Sequence, residues 1–557
     1  VTFTVKLNLL AVAALLTVLN ALKPLTMDDV SYYLHARQVA ASPLDPFAGE
    51  MFFYQTYGPA IHNNAPPVHL YWLALGLGVL PDHPVAWKLW LFPWAALFVF
   101  ALHALLRRFA AGIELPIVWL TAISPTVLPA FNVMLDLPAL ALVLAAVATF
   151  AAADEESGWS PVLGAGLLAG LAMQTKYTGV MAPVAILIHG VVHRRSTRAI
   201  VACVLASALF IGWEALMAAR YGESPFLAYV GRRARGASGS TRLELIKPLV
   251  RYMAMTASAL VPVGLMALGA SRRWVAAAAA AVAAVFAAFA LAPEPLVRFL
   301  GSVTGGRFVN HGNLTLGLLV PALALVAAGC VWRVAAQRDR AGAFLASWLI
   351  AEVAGYFAIT TSAGARRVMG VVVVLTLLFA RAAAASHVAG RRPLLRLAAA
   401  LGVTLGLFYW VVDLDDALAQ RRDVARVTAR IDAARRDPAT ALDGAGRVWY
   451  IGNHFGGFHY YAPRAGMEPA ITGSSRLEAG DWLVAPPFVD LEHVEMAWPM
   501  LAPVDSLAPG FRLPVTTRYA YYMGDAPLRR PDPSWVAVRI YRVLGDGVIV
   551  RKDTRPR

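Results

Sequence analysis

Thr26-Met27-Asp28-Asp29-Val30-Ser31-Tyr32-Tyr33-Leu34-His35-Ala36-Arg37 follows directly on the first long apolar run of the chain, Leu7 to Leu22. Two adjacent carboxylates a few residues past the end of a hydrophobic segment stand at a boundary between membrane and water. Charge at that address is a functional signal before it is anything else. The stretch opens an amphipathic helix, which would hold both acids where a lipid-borne substrate meets water.

Outward from this stretch the chain is mostly membrane. Of its 557 residues 59% are hydrophobic and only 15% charged, and the mean hydropathy is +0.58, which is too apolar for a soluble enzyme. A formal charge of +15 would suggest nucleic acid in a soluble protein. Here many basic residues lie in short clusters between apolar runs, such as Arg194-Arg195, Arg272-Arg273 and Arg391-Arg392, the positive-inside pattern of a polytopic membrane protein, so no nucleic-acid partner is expected. Cys203 and Cys330, the two cysteines, both fall within apolar runs, which leaves neither a disulfide framework nor a thiolate metal cluster for the soluble parts. Leu7 to Leu22 has the length of a signal peptide but runs into Lys23-Pro24 without a small-residue cleavage site, predicting a retained anchor.

Runs long enough to span, about 20 residues each with some shorter, fall roughly at 7–22, 84–106, 114–131, 137–153, 161–175, 178–193, 199–219, 249–270, 274–293, 313–332, 341–360, 368–387 and 394–412. With the N-terminus cytoplasmic, these about thirteen spans put Arg107-Arg108, His193-Arg194-Arg195, Arg272-Arg273, Arg333 to Arg340 and Arg391-Arg392 inside. That registration requires Val68 to Leu80, too short to span comfortably, to lie as a juxtamembrane helix led in by Ala65-Pro66-Pro67. Residues 23–83 then form one external loop. From Asp413 onward charge, Gly and Pro rise. Asp413 to Arg436 reads as a charged helix, and Arg447 to Ile451, Asp481 to Ala485 and Val536 to Tyr541 read as strands. The expected architecture is mainly α: a transmembrane domain over 1–412 and a small soluble α/β domain over 413–557, on the outside.

Sorted by side, the unusual polar residues gather on the outer face. Asp28 and Asp29 head the first loop, and Asp136 falls in the turn between the third and fourth spans. Lys176 and Tyr177 occupy another outer turn. Arg232, Arg233 and Arg235 stand in the loop from Tyr221 to Pro248, and Arg366 and Arg367 begin a span at its outer end. This set suits transfer from a phosphate-linked lipid. A carboxylate can take the proton of an acceptor hydroxyl as it attacks, while Arg and Lys stabilise the departing phosphate. Such a phosphate leaves without protonation, so one base suffices, and direct displacement inverts the sugar carbon.

Four stretches together resemble a known family. Asp28-Asp29 with Tyr32 is similar to an Asp-Glu-x-x-Tyr signature, with Asp in the second position. Pro66-Pro67-Val68-His69-Leu70-Tyr71-Trp72-Leu73 resembles a Pro-Pro-Leu-x-x-Tyr-x-Leu stretch. Met134-Leu135-Asp136-Leu137-Pro138 resembles a second acidic loop, and Gly170 to Lys176 a Gly-Leu-Ala-x-x-Thr-Lys motif. The family is that of the integral-membrane glycosyltransferases of the GT-C fold that use polyprenyl-phosphate sugars, in particular the protein O-mannosyltransferase-like group and the lipid A aminoarabinose transferases. The resemblance covers most of residues 5–260 and weakens toward 412. It implies a polyprenyl-phosphate sugar donor, an acceptor lipid, protein or glycan, and a place in a bacterial inner membrane. It further implies Asp28 as base, with Asp29 beside it, and Asp136 supporting the acceptor or a metal. By the same resemblance Lys176, Arg232, Arg233 and Arg235 would contact donor phosphate; from their place on the outer face Arg366 and Arg367 are expected to do so as well, and Tyr32, Tyr71 and Tyr177 are expected to position substrate. Where the aminoarabinose enzymes carry Glu-Lys before the double proline, this chain has Asn63-Asn64-Ala65, which removes one metal ligand and one phosphate contact and leaves open whether a divalent metal ion takes part.

Plainer roles are available for the same residues. Asp29, three residues after Thr26, completes a capping box, and Asp136 can cap the next span. Lys176 can snorkel, the arginines of 232–235 can bind headgroups generically, and Trp72 suits an aromatic belt. His62, His69, His311, His454 and His459 lack metal-ligand spacing with neighbouring acids. Trp449, Tyr450, Phe458, Tyr460 and Tyr461 suit either a sugar- or lipid-facing surface or a core. Two other functions stay open at this point. A lipid-linked sugar transporter or flippase would set its ionisable groups near the bilayer midplane, and an inactive envelope-assembly scaffold would not need the acids.

Overall fold

The computed structural model of the chain describes residues 2–53, 56–63, 66–153, 158–236, 245–246, 249–250, 252–253, 257–291, 312–360, 364–385, 392–436, 446–452, 457–486, 494–496, 501–508, 510–517, 528 and 537–551. The first half supplies helices α1 (Phe3–Ala21), α2 (Asp29–Ala41), α3 (Pro67–Val79), α4 (Pro84–Leu89), α5 (Phe92–Phe109), α6 (Glu114–Ala122), α7 (Asp136–Ala152), α8 (Ser160–Met173), α9 (Met181–Val192), α10 (Ser196–Tyr221) and α11 (Pro225–Gly236). The second half adds α12 (Leu260–Ala267), α13 (Arg272–Leu291), α14 (Gly312–Ala336), α15 (Arg340–Ile359), α16 (Met369–Ala385) and α17 (Arg392–Arg436). Among the described residues six stretches are long and apolar enough to cross a membrane: α1, α4 with α5, α10, residues 319–336 of α14, α15, and α17. Helices α3, α7, α8 and α16 are apolar but shorter, as is α9 with the turn before it.

The run expected to span at 114–131 is not one continuous helix. Only Glu114–Ala122 is helical; residues 123–135 form irregular turns and are buried throughout. Pro125 and Pro129 cannot donate to a helical ladder, so the chain stops spiralling while its composition stays apolar. Non-helical backbone at such depth survives only inside protein, where other groups meet its carbonyls and amides. This segment leads to Asp136, the first residue of α7.

Helix starts follow local chemistry. Proline, whose missing N–H costs nothing in a first turn, opens α3 at Pro67 and stands near the start of α8. Helix α10 ends at Gly222, left-handed at φ 79°, a conformation glycine adopts without a Cβ clash. Helices α7, α8 and α10 pack side by side, and small residues set how closely. A Cβ on Gly166 would stand 2.7 Å from the Ala202 carbonyl oxygen and 3.1 Å from Leu205 Cβ, so α8 and α10 touch backbone to backbone, as membrane helices do through small residues.

Helix α17 is continuous over 45 residues, running from the apolar bundle into a β-rich region. Strands β1 (Glu50–Phe53) and β2 (Thr56–Pro59) form a hairpin in the first loop. The C-terminal part contains β3 (Val448–Ile451), β4 (Glu468–Ala470), β5 (Arg476–Leu477), β6 (Trp482–Ala485), β7 (Val494–Met496), β8 (Leu501–Leu507), β9 (Val538–Val543) and β10 (Gly547–Arg551). One sheet has the order β4-β3-β6-β9-β8, with β3 parallel to β4 and β6 and with β9 antiparallel to β6 and β8. Val424, Val427, Ile431 and Ala434 make one stripe along α17 and pack with Tyr450, Trp482, Val484 and Ile540 of this sheet. Tyr450 and Phe458 are therefore core residues.

Gly166→Val should overpack the α8–α10 contact and lower stability by about 1–3 kcal/mol. Gly164→Ala should be neutral, because the nearest atom to its Cβ would be Thr149 Cγ2 at 3.8 Å. Thermal melting of the detergent-solubilised protein checks both; equal melting temperatures for the two variants would contradict the packing account.

Candidate active site

Met27, buried and non-glycine, holds φ at 52°, a left-handed conformation that L residues adopt at a cost of about 1–3 kcal/mol and keep only where the surroundings insist on it. The turn it makes gives the two neighbouring acids different partners. Asp29 points into protein: its Oδ1 accepts from the Val133 N–H at 3.0 Å, its Oδ2 accepts from the Thr26 N–H at 3.2 Å, and Lys88 Nζ stands 3.6 Å from that Oδ2. The Thr26 contact is one half of the capping box visible in the sequence. The Val133 contact ties the first loop to the segment before Asp136.

Asp28 instead meets Arg366. Arg366 Nη1 donates to Asp28 Oδ2 at 2.9 Å and lies 3.6 Å from Asp136 Oδ2, while Lys176 Nζ pairs with Asp136 Oδ1. One guanidinium therefore bridges two carboxylates that are 108 residues apart in the chain. Arg366 and Arg367 belong to a short 3-10 turn, Ala365–Arg367, at the start of α16. The side chains of Asp28 and Arg366 are 20% and 11% exposed and that of Lys176 is 25% exposed, whereas that of Asp136 is 2% exposed. Asp136 is the buried anchor of the set, and Asp28 and Lys176 are its accessible edges.

Burial is the largest single influence on each of these groups. It raises Asp29 above the usual aspartate range, against the pull of Lys88. It lowers Lys176 below the usual lysine range, against the attraction of Asp136 and with help from repulsion by Arg366. The Arg366 proton is held more tightly than usual: burial opposes the charge, but Asp28 and Asp136 outweigh it. Tyr32 is buried and its hydroxyl is pushed well above the usual tyrosine range, by burial and then by Asp28. Its electrostatic partners, Asp28, Arg366 and Asp136, put it at this same cluster.

Other expected site residues make contacts of their own. Tyr71 donates its hydroxyl to the Pro43 carbonyl and faces Trp213 at 6.3 Å between ring centroids. Tyr177 packs against Tyr229 and Phe226, at 5.0 and 5.1 Å. The backbone at 232, 233 and 235 is in α11, but the side chains of Arg232, Arg233 and Arg235 lie outside the described residues, as do Asn64, Ala65, His311 and His454. Among the described residues no three His, Cys, Asp or Glu side chains are grouped to hold a metal ion. Asp28 and Asp136 are already neutralised by Arg366 and Lys176, the role a divalent ion would otherwise fill, so the set does not fit a metal. Lys23, Lys88 and Asp413 were not singled out by the sequence; the hint available was that each is a charge at or inside an apolar run.

An apolar cavity of about 470 Å³ is lined by Pro67, Val68, Tyr71, Trp72, Gln174 and Trp213 among others. The Val68 N–H donates to the Gln174 carbonyl at 3.0 Å, which ties the double-proline helix to the chain two residues before Lys176.

Residues 64–213 match the model of a family described as dolichyl-phosphate-mannose-protein mannosyltransferase. The matched stretch includes Asp136 and Lys176. Among solved structures, the chain is similar to ArnT from Cupriavidus metallidurans in the apo state, with 12% identity, a TM-score of 0.49 and coverage of 96% of this chain and 97% of that one. It is similar also to ArnT from the same organism bound to undecaprenyl phosphate, with 16% identity, a TM-score of 0.45 and coverage of 98% and 99%. A third likeness is the oligosaccharyltransferase of Archaeoglobus fulgidus in the apo form, with 15% identity, a TM-score of 0.46 and coverage of 83% and 64%. No curated protein matches the chain.

The two acids should separate in a melting experiment. Asp29→Ala leaves the buried Lys88 amine without its carboxylate and the Val133 N–H without its acceptor, and should cost about 3–5 kcal/mol. Asp28→Ala, at a partly exposed carboxylate, should cost much less. Similar losses in melting temperature for the two variants would contradict the division between an inward acid and an accessible one.

Proposed function

We propose that the chain is an inverting glycosyltransferase. In this reading it moves a sugar from a polyprenyl-phosphate carrier to an acceptor at the outer face of a bacterial inner membrane. The observation that carries the proposal is the convergence of Asp28, Asp136, Lys176 and Arg366 in one charged cluster. A lipid phosphate needs cations for its head, which Arg366 and Lys176 supply, and apolar surface for its tail, which the cavity lined by Pro67, Tyr71 and Trp213 offers. The match of residues 64–213 to a mannosyltransferase family supports the same chemistry.

The mechanism uses side chains alone. The acceptor hydroxyl gives its proton to the Asp28 carboxylate while its oxygen bonds to the anomeric carbon; the bond from that carbon to the phosphate oxygen breaks, and its electron pair leaves with the polyprenyl phosphate. Lys176, Arg366 and Arg367 stabilise the phosphate dianion as it forms, an interaction stronger in the transition state than before it. Arg366 releases part of its hold on Asp28 as the donor phosphate draws it, which frees the carboxylate to act as base. Asp136, buried, keeps Lys176 and Arg366 in place. Tyr32 stays neutral and offers a hydroxyl donor beside the base.

Transfer from short-chain polyprenyl-phosphate sugars by the purified protein tests this. Loss of the base should lower turnover of Asp28→Asn by about 10²–10⁴-fold, and Lys176→Met should weaken donor use. Full activity of Asp28→Asn would sink the assignment of the base. Absence of transfer from any such donor by the wild type, with lipid-linked sugar moved across vesicles instead, would favour a transporter.

A further inference from the structure

Four ionisable side chains outside the proposed chemistry are buried together. Lys23, Asp29, Lys88 and Asp413 are each at most 4% exposed. Lys23 Nζ donates to Asp413 Oδ2 and to the Pro129 carbonyl, both at 2.7 Å. Lys88 Nζ donates to the carbonyls of Lys23 at 3.0 Å and Pro24 at 3.2 Å and faces Asp29. Around them the irregular segment before Asp136 is held along its backbone. Asn20 Nδ2 donates to the Leu128 carbonyl at 3.0 Å, Lys23 takes Pro129, Asp29 takes the Val133 N–H, and His69 Nε2 stands 3.4 Å from the Val133 carbonyl.

The same group reaches the C-terminal part of the chain. Asp413 belongs to α17. Two turns on, Gln420 Nε2 donates to Thr26 Oγ1 at 3.2 Å while Gln420 Oε1 accepts from the Gly457 N–H, and Tyr461 hydrogen-bonds the backbone of Leu25. Residues 23–26 are thus gripped by α17 and the 457–461 turn on one side and by Lys88 on the other. Asp415 and Asp416 bind the 512–517 strap to the helix through the Arg512, Leu513 and Thr517 N–H groups and the Thr516 hydroxyl. Apolar side chains of similar volume often replace a buried ion pair with little loss of stability. What the pair adds is therefore direction: one ammonium fixes one carbonyl of the Asp136 segment to one carboxylate of α17.

We infer that Lys23 and Asp413 are positioning residues for the transfer reaction, through which α17 sets where Asp28 and Asp136 stand relative to each other. The inference rests on the glycosyl-transfer reading and gives the C-terminal part a role in catalysis besides any contact with the acceptor. Met27 fits the same account, since its left-handed turn needs a frame that holds it.

The test uses the full chain in nanodiscs. Lys23→Met/Asp413→Leu replaces the pair by apolar side chains, and thermal melting, donor KM, kcat and amide hydrogen exchange over residues 126–136 are measured against the wild type. The folded double variant should keep its donor KM within about twofold and lose kcat by about tenfold or more, because small misplacements of reacting groups cost that much. Its 126–136 amides should exchange faster. Lys23→Arg, which can still donate to both oxygens, should recover most of the rate. A double variant with wild-type kcat, or with unchanged exchange over 126–136, overturns the inference. If the double variant does not fold, Asp413→Asn carries the same expectations and the same overturning results. If the wild type transfers no sugar, the functional reading fails and exchange alone decides: faster exchange confined to 126–136 keeps the coupling, and unchanged exchange removes it.

Discussion

A lysine ammonium with 1% of its surface exposed keeps its charge only where oxygens surround it, because taking a charge out of water costs several kcal/mol unless it is paired and hydrogen-bonded. At Lys23 those oxygens come from two distant parts of the chain, Pro129 and Asp413. Satisfying that one group requires the end of α1, the proline-broken segment before α7, and the middle of α17 to meet at a point. Lys88 and Asp29 impose the same demand beside it. The polar frame they form lets an irregular, buried backbone carry Asp136 to the end of a helix bundle.

On that frame the site is a contest of charges. Arg366 satisfies two carboxylates at once, Lys176 satisfies one of them again, and all four side chains have lost much of their water. Such a cluster is stable at rest because its charges balance. In the proposed transfer the donor phosphate upsets the balance, drawing the cations toward itself and releasing a carboxylate. In that reading ground-state pairing and catalysis use the same atoms.

The sequence made much of this legible, for identifiable reasons. Asp28, Asp136, Lys176 and Arg366 are conspicuous because each is a charge at the end of an apolar run, and topology alone brings such ends together. The frame was not legible. Lys23 read as the close of an anchor and Asp413 as the start of a charged helix, and nothing in periodicity links residues 390 positions apart. Lys88 lay inside an apolar run, where composition hides a single charge. The run at 114–131 looked like a span because its residues are apolar; Pro125 and Pro129 decided otherwise, and hydropathy does not register the missing N–H groups. Tyr71 and Tyr177 fit motif positions, yet their hydroxyl and ring contacts are with neighbouring loops and aromatics.

The central claim is a direct displacement at the sugar carbon by an acceptor that Asp28 deprotonates. The anomeric configuration of the transferred sugar tests it most directly, read by proton NMR on product made by the purified wild type from a polyprenyl-phosphate donor of known configuration. The account predicts a single inversion. Retention would require a covalent or two-step route that this cluster does not provide for, and would contradict it.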